Sequence, residues 1–155
     1  MKGKFYINKK LFLACAFVIC CNSLLAQENT LAVRNTVAQL FVAMKTADTT
    51  LMKQTFTTTA ILQTISERDG INVRDEKIAD FITSIGKLSK ADADERLGEL
   101  VILIDGKLAS VWAPYQFYYK GIFSHCGVNS LQLVQMDGQW KIQYIIDTRR
   151  KEACL

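Results

Sequence analysis

Between Asn29 and Ala47 the apolar residues Val33, Val37, Leu40, Phe41 and Met44 recur at spacings of four, three, one and three. That is the period of a helix with one buried stripe, and Asn29 or Thr30 can cap its start. Asp48 caps a shorter piece, TTLMKQTF, and the following TTTAILQTIS has the β-branched composition of a strand. The polar ERDGINVRDEK carries an Asp69-Gly70 turn signal and is expected as a loop or hairpin tip. A helix then starts at Asp75 or a neighbour, with Ile78, Phe81, Ile82 and Ile85 on one face and Gly86 as a left-handed cap. Residues 87–96, KLSKADADER, read as a solvated connection.

From Leu97 onward the apolar period changes to two, with Asp105-Gly106, Lys120-Gly121 and Asp137-Gly138 between alternating segments. Such dipeptides favour type I′ turns, which need positive φ at both central residues, so four strands in a meander are expected. Helices followed by an antiparallel meander imply an α+β fold with helices on one face of a curved sheet.

If each dipeptide forms a two-residue turn, the faces can be followed from strand to strand. Gln135 then opposes Trp140, Leu133 opposes Ile142 and Leu131 opposes Tyr144. Tyr118 opposes Phe123, Gln116 opposes His125, and Trp112 opposes Glu99. One face collects Glu99, Val101, Leu103, Trp112, Gln116, Tyr118, Phe123, His125, Leu131, Leu133, Trp140, Ile142, Tyr144 and Ile146. A mainly apolar face with a few convergent polar groups is the lining of a ligand pocket. Glu99, Trp112, Gln116, Tyr118, His125 and Tyr144 are therefore the expected ligand-binding residues. On this register Asp147 points outward, opposite Val128, and Pro114 marks a bulge.

The other face would carry Val111, Ala113, Tyr115, Phe117, Tyr119, Ile122, Val128 and Val134, too apolar to stand in water. A second copy packed on this outer sheet face would bury it, so a homodimer is expected.

The front end changes the charge and the cysteine count. Lys2, Lys4, Lys9 and Lys10 precede an apolar run from Leu11 to Ile19 and then small and polar residues, the layout of a secretory signal peptide. A cut after Ala26 is expected, leaving 27–155 as a single domain in the periplasm or outside the cell. The run falls short of the roughly 20 residues a spanning helix needs; a lipid anchor at Cys21 or Cys15 is the less favoured alternative. All four basic residues of 1–26 leave with the signal and no acidic one does, so 15 of the 19 Lys plus Arg remain against 15 Asp plus Glu. A chain of zero net charge without a basic stripe is a poor nucleic-acid binder. Of five cysteines only Cys126 and Cys154 survive cleavage. In an oxidising compartment they form one disulfide or stay as two free thiols, and the disulfide is favoured.

One histidine, no Cys-x-x-Cys and no carboxylates at ligand spacing leave no metal site. Phosphate loops and nucleophile elbows are absent as well, and no cofactor is expected.

The run WAPYQFYYKGIFSHCGVNSLQLVQMDGQWKIQYIIDTRR behind N-terminal helices resembles the nuclear-transport-factor-2-like superfamily. Within it the chain is similar to the exported bacterial branch described as lumazine-binding, or SnoaL-like. The resemblance covers roughly residues 29–152 and is densest at Ser124-His125-Cys126-Gly127, at Asp137-Gly138-Gln139-Trp140-Lys141-Ile142 and at Asp147-Thr148-Arg149-Arg150. It implies a cone-shaped α+β domain, often dimeric, whose curved sheet and helices enclose a pocket. That scaffold hosts isomerase-like, cyclase-like and dehydratase enzymes as well as pure binding modules, so function has to come from the site.

Two readings of the site follow. In the first, the pocket binds a small hydrophobic or aromatic molecule without turning it over, and His125, hydrogen-bonded by Gln116 or Tyr118, recognises it. In the second, His125 and Tyr118, with Glu99, act as acid and base groups of an isomerase-, cyclase- or dehydratase-type enzyme.

Overall fold

The computed structural model describes residues 9–66 and 71–154, with side chains from Gln27 onward. Lys2 and Lys4 of the expected signal and the Asp69-Gly70 turn lie outside the described residues. Three helices, α1 (Lys9–Thr46), α2 (Thr49–Thr55) and α3 (Ile78–Gly86), accompany seven strands. These are β1 (Phe56–Ser66), β2 (Asn72–Glu76), β3 (Ala93–Leu97), β4 (Val101–Asp105), β5 (Leu108–Tyr119), β6 (Ile122–Met136) and β7 (Gln139–Thr148). No described helix is long and apolar enough to cross a membrane.

The amphipathic stripe does what its period demands: Val33, Val37, Leu40, Phe41 and Met44 are all buried. They meet Leu131, Leu133, Trp140 and Ile142 of the sheet in one core. At about 1.5–3 kcal/mol for each fully buried large apolar side chain, this contact orients the helix on the sheet. Asp48 caps α2 by accepting from Thr50 N at 3.0 Å and Leu51 N at 2.9 Å. Gly86, expected as a left-handed cap, serves another purpose. Helix α3 ends at Lys87 with ordinary φ of −87°, and a Cβ on Gly86 would stand 2.6 Å from Thr49 Cγ2. Its missing side chain lets α3 approach α2.

The sheet runs β2-β1-β7-β6-β5-β3, with β4 also on β5. The expected meander is β4 to β7. The sheet is mixed rather than antiparallel, because β1 lies parallel to β7. Two stretches expected as loops are strands: NVRDE pairs with β1, and Ala93–Leu97, all but its last residue inside the expected solvated connection, pairs with β5. Their charged residues masked the alternation, although Ala93 and Asp94 are buried.

At two hairpin tips the turn chemistry holds. Lys120 and Gly121 have φ of 52° and 78°, Asp137 and Gly138 50° and 76°, and Tyr118↔Phe123 and Gln135↔Trp140 pair as expected. The third loop is Gly106-Lys107, since Asp105 pairs with Leu108; Trp112 therefore opposes Val101 and not Glu99. Away from the tips two bulges change the register. Between Phe117 and Tyr118 the β5–β6 ladder shifts, so that Phe117 opposes His125 and Gln116 opposes Cys126. Between Gln132 and Leu133 the β6–β7 ladder shifts, so that Leu131 opposes Ile145 and Asn129 opposes Asp147. A one-residue slip exchanges the faces of everything beyond it.

Trp112, Gln116, Tyr118 and Tyr144 consequently stand on the outer face, while Val111, Ala113, Tyr115, Phe117 and Asp147 point toward the helices. Pro114 marks no bulge and pairs with Val128. On its other side it lies opposite the break between β3 and β4, where its carbonyl accepts from Gly98 N at 2.8 Å. An edge without a strand is where a residue lacking an N–H costs least.

Candidate functional site

Between α1, α3 and the inner face lies a cavity of about 210 Å3. Leu40, Phe41 and Met44 of α1 and Phe81 and Ile85 of α3 cover it; Leu62, Phe117 and Ile145 line the sheet side. The polar residues reaching it are Glu76, Glu95, Tyr115, His125, Asn129, Asp147 and Arg149. Apolar walls with clustered polar groups are the usual constitution of a small-molecule site.

Asp147 organises the polar side. Its Oδ1 accepts from Thr64 Oγ1 at 2.5 Å, and its Oδ2 lies 2.7 Å from Arg149 Nε and 3.2 Å from the Tyr115 hydroxyl. That hydroxyl is also 2.9 Å from the Thr148 carbonyl, so its single proton is shared between two acceptors. Arg149 NH2 donates onward to Thr64 Oγ1 at 3.1 Å. A buried carboxylate needs such partners, because an unpaired charge in this position would be expelled. Burial and the Asp147 charge push the Tyr115 pKa up, which keeps it a donor. For Arg149 burial acts downward, but the hydrogen bond and charge of Asp147 outweigh it and raise its pKa.

The end of β7 is brought here by Gly127. A Cβ at that position would sit 1.8 Å from the Thr148 carbonyl oxygen and 3.0 Å from Tyr115 Cε1. The close backbone approach, available only to glycine, places Asp147 and Arg149 at the cavity.

Opposite this cluster Asn129 Nδ2 donates to Glu95 Oε1 at 2.7 Å. Glu95 is only partly covered as a residue, but its carboxyl group is enclosed. Burial pushes its pKa up to about 7; the Asn129 bond acts the other way, and the Asp147 charge adds to the rise. A carboxyl group that exchanges its proton near neutrality in a cavity is a candidate acid or base.

His125 sits between the rings of Tyr115, edge-on at 5.7 Å, and Phe117, at 5.1 Å. Its Nδ1 lies 3.1 Å from Ser124 Oγ. Burial, and then the Arg149 charge, lower its pKa, with Asp147 opposing. The neutral imidazole is favoured, with one donor and one acceptor nitrogen.

Of the six residues expected to bind ligand, the structure brings only His125 to the cavity. Glu99 is exposed between β3 and β4. Trp112 is 53% exposed on the outer face. Gln116 accepts from the Tyr118 hydroxyl at 3.1 Å, and Tyr118 lies under the Arg96 guanidinium at 3.9 Å. Tyr144 donates to Gln63 Oε1 at 2.5 Å. Glu95, Tyr115, Asn129, Asp147 and Arg149 were missed. For Glu95 the signal was its place two residues from both Ala93 and Leu97. Asn129 shares the parity of His125 and Leu131 and was legible from it; for Tyr115, Asp147 and Arg149 the signal was hidden by the bulges.

Cys126 and Cys154 are joined by a disulfide. Together with the paired backbone bonds of Cys126 and Arg150, both 2.8 Å, it fastens the chain end to β6 beside His125. Among the described residues no group of three His, Cys, Asp or Glu is placed to hold a metal ion.

No family model matches the chain, and no curated protein does. Solved structures do. An NTF2-like protein with a cystatin-like fold from Novosphingobium aromaticivorans superposes with a TM-score of 0.66 at 12% identity, over 86% of this chain and 90% of that one. An NTF2-like protein of unknown function from Shewanella baltica gives 0.64 at 16%, over 81% and 96%. A candidate ketosteroid isomerase from Shewanella frigidimarina gives 0.57 at 20%, over 75% and 94%. With helices laid on a curved mixed sheet, the chain has the α+β fold of NTF2-like, cystatin-like proteins.

Proposed function

We propose that the chain is an exported small-molecule-binding domain whose site is the cavity between α1, α3 and the inner sheet face. The observation that carries this is an apolar hollow into which Glu95, His125 and Asn129 converge with the Asp147–Arg149 pair. A hydrophobic or aromatic body fits the walls, and an oxygen or nitrogen on it meets the polar groups. Titration calorimetry with 2-naphthol tests this: Phe81→Trp, which fills the hollow from α3, should abolish the binding seen in the parent. Equal affinity in both proteins would place the ligand elsewhere.

A second reading, acid–base catalysis of the isomerase, cyclase or dehydratase kind, is favoured by the Glu95 pKa near 7. Glu95 and His125 carry it, in place of His125 and Tyr118. Incorporation of deuterium from solvent at the α-carbon of a cyclic ketone, lost in Glu95→Gln, would establish this second reading.

Export is supported by the disulfide, which persists in oxidising compartments. Placement in the lumazine-binding branch rests on the Ser124–Gly127 and Asp137–Ile142 resemblance. The proposed homodimer interface keeps to the outer sheet face with a changed set of residues: Val101, Leu103, Leu108 and Trp112 are its exposed apolar groups, Leu103 at 68%.

A further inference from the structure

Outside the cavity, and sharing Phe117, His125 and Arg149 with it, lies an open groove. Arg74, Arg149, Arg150 and Lys151 line it, and no acidic residue does. Arg149 is paired with Asp147; Arg74, Arg150 and Lys151 form no ion pair with any described residue. This concentration of positive charge occurs in a chain that is neutral after position 26. It is also held in place. The Cys126–Cys154 bond and the Cys126–Arg150 bridge fix the backbone on both sides of Lys151, and Arg150 Nε donates to Ala153 O at 3.2 Å. Arg74 comes from the opposite wall, on β2, where it pairs with Thr64.

We propose that this groove is the subsite for an anionic group, so that the ligand is a small amphiphilic anion with its apolar body in the cavity. The inference deepens the binding reading above and rests on it. Phe117, His125 and Arg149 line both compartments, so a molecule lodged in the cavity beside them is placed to present a carboxylate to the guanidinium and ammonium groups of the groove. In an open, solvated groove such groups contribute selectivity that is sensitive to salt. Arg149 is unsuited to the test, since its removal would orphan the buried carboxylate of Asp147.

The probes are 2-naphthoate and its neutral analogue 2-naphthamide, titrated by calorimetry into the disulfide-bonded protein. Naphthoate should bind about tenfold tighter at about 50 mM salt, and the difference should shrink severalfold at about 500 mM. Arg150→Gln/Lys151→Gln should remove most of that preference and leave the amide unchanged; Arg74→Gln, on a separate strand, should remove part of it. Equal affinity for both probes in the parent, or a preference that survives these variants and high salt, overturns the anion subsite while leaving the cavity reading standing. Failure of both probes to bind overturns the cavity reading too.

Discussion

Asn129 on β6 and Glu95 on β3 are joined by a 2.7 Å hydrogen bond that spans the intervening strand β5 across the cavity wall. The bond ties an edge strand to the sheet centre and keeps an enclosed carboxyl group in contact with a donor. It makes stability depend on pH in a definite direction. Glu95 ionises near 4.5 when unfolded and at about 7 when folded, so between those values the native state holds the extra proton. Its contribution is complete below pH 4.5 and is lost as pH rises through 7, on the order of 3 kcal/mol in all. Urea denaturation from pH 4 to 8 should show this decline in the parent and not in Glu95→Gln. His125, with its pKa lowered, acts oppositely, losing stability as pH falls through its folded value. The difference between parent and variant isolates Glu95.

Gly127→Ala should cost roughly 3 kcal/mol or more, because its Cβ would collide with the Thr148 carbonyl backbone and cannot be relieved by a rotamer change. Chemical denaturation measures the loss. Gly138→Ala, where nothing lies within 4 Å, meets only the strain of a positive φ and should cost about 1 kcal/mol.

Asp147→Ala removes the acceptor for Thr64, Tyr115 and Arg149 at once. Tyr115 keeps the Thr148 carbonyl and the Arg149 side chain is 44% exposed, so the charge left behind reaches water and a loss of about 1–3 kcal/mol is expected from thermal or urea unfolding. Ligand binding should fall with it.

Reduction of Cys126–Cys154 opens a loop of 28 residues. Constraint of the unfolded chain is worth roughly 3.5 kcal/mol on the chain-entropy account, and the melting temperature should drop on adding reductant. A Cys154→Ser variant should melt at that lower temperature and show no further change with reductant.

The buried stripes of the helices, the meander and two of its three turns were legible because apolar period and turn chemistry act locally, whereas the helix starts were not: α1 runs through Asn29 and Thr30, and Asp75 lies in β2 ahead of α3. Val33 to Met44 and Asp137-Gly138 needed nothing beyond their neighbours. The inner face was not legible past the hairpin tips. One extra residue near Ser124 and one near Gln143 exchange the faces, and no local composition announces either bulge. His125 reached the cavity on an inverted argument, opposite Phe117 instead of Gln116. Asp147, expected to point outward opposite Val128, was turned inward together with Arg149 by the second bulge and by the space above Gly127.

The direct test of the central claim, that a small molecule enters behind His125, is a methyl and imidazole NMR titration with 2-naphthoate. Shifts confined to Leu62, Ile85, Ile145 and the His125 ring are expected, with the Val101 and Leu103 methyls of the outer face unmoved. Perturbation of Val101 and Leu103 with a silent Ile85 and His125 would contradict it.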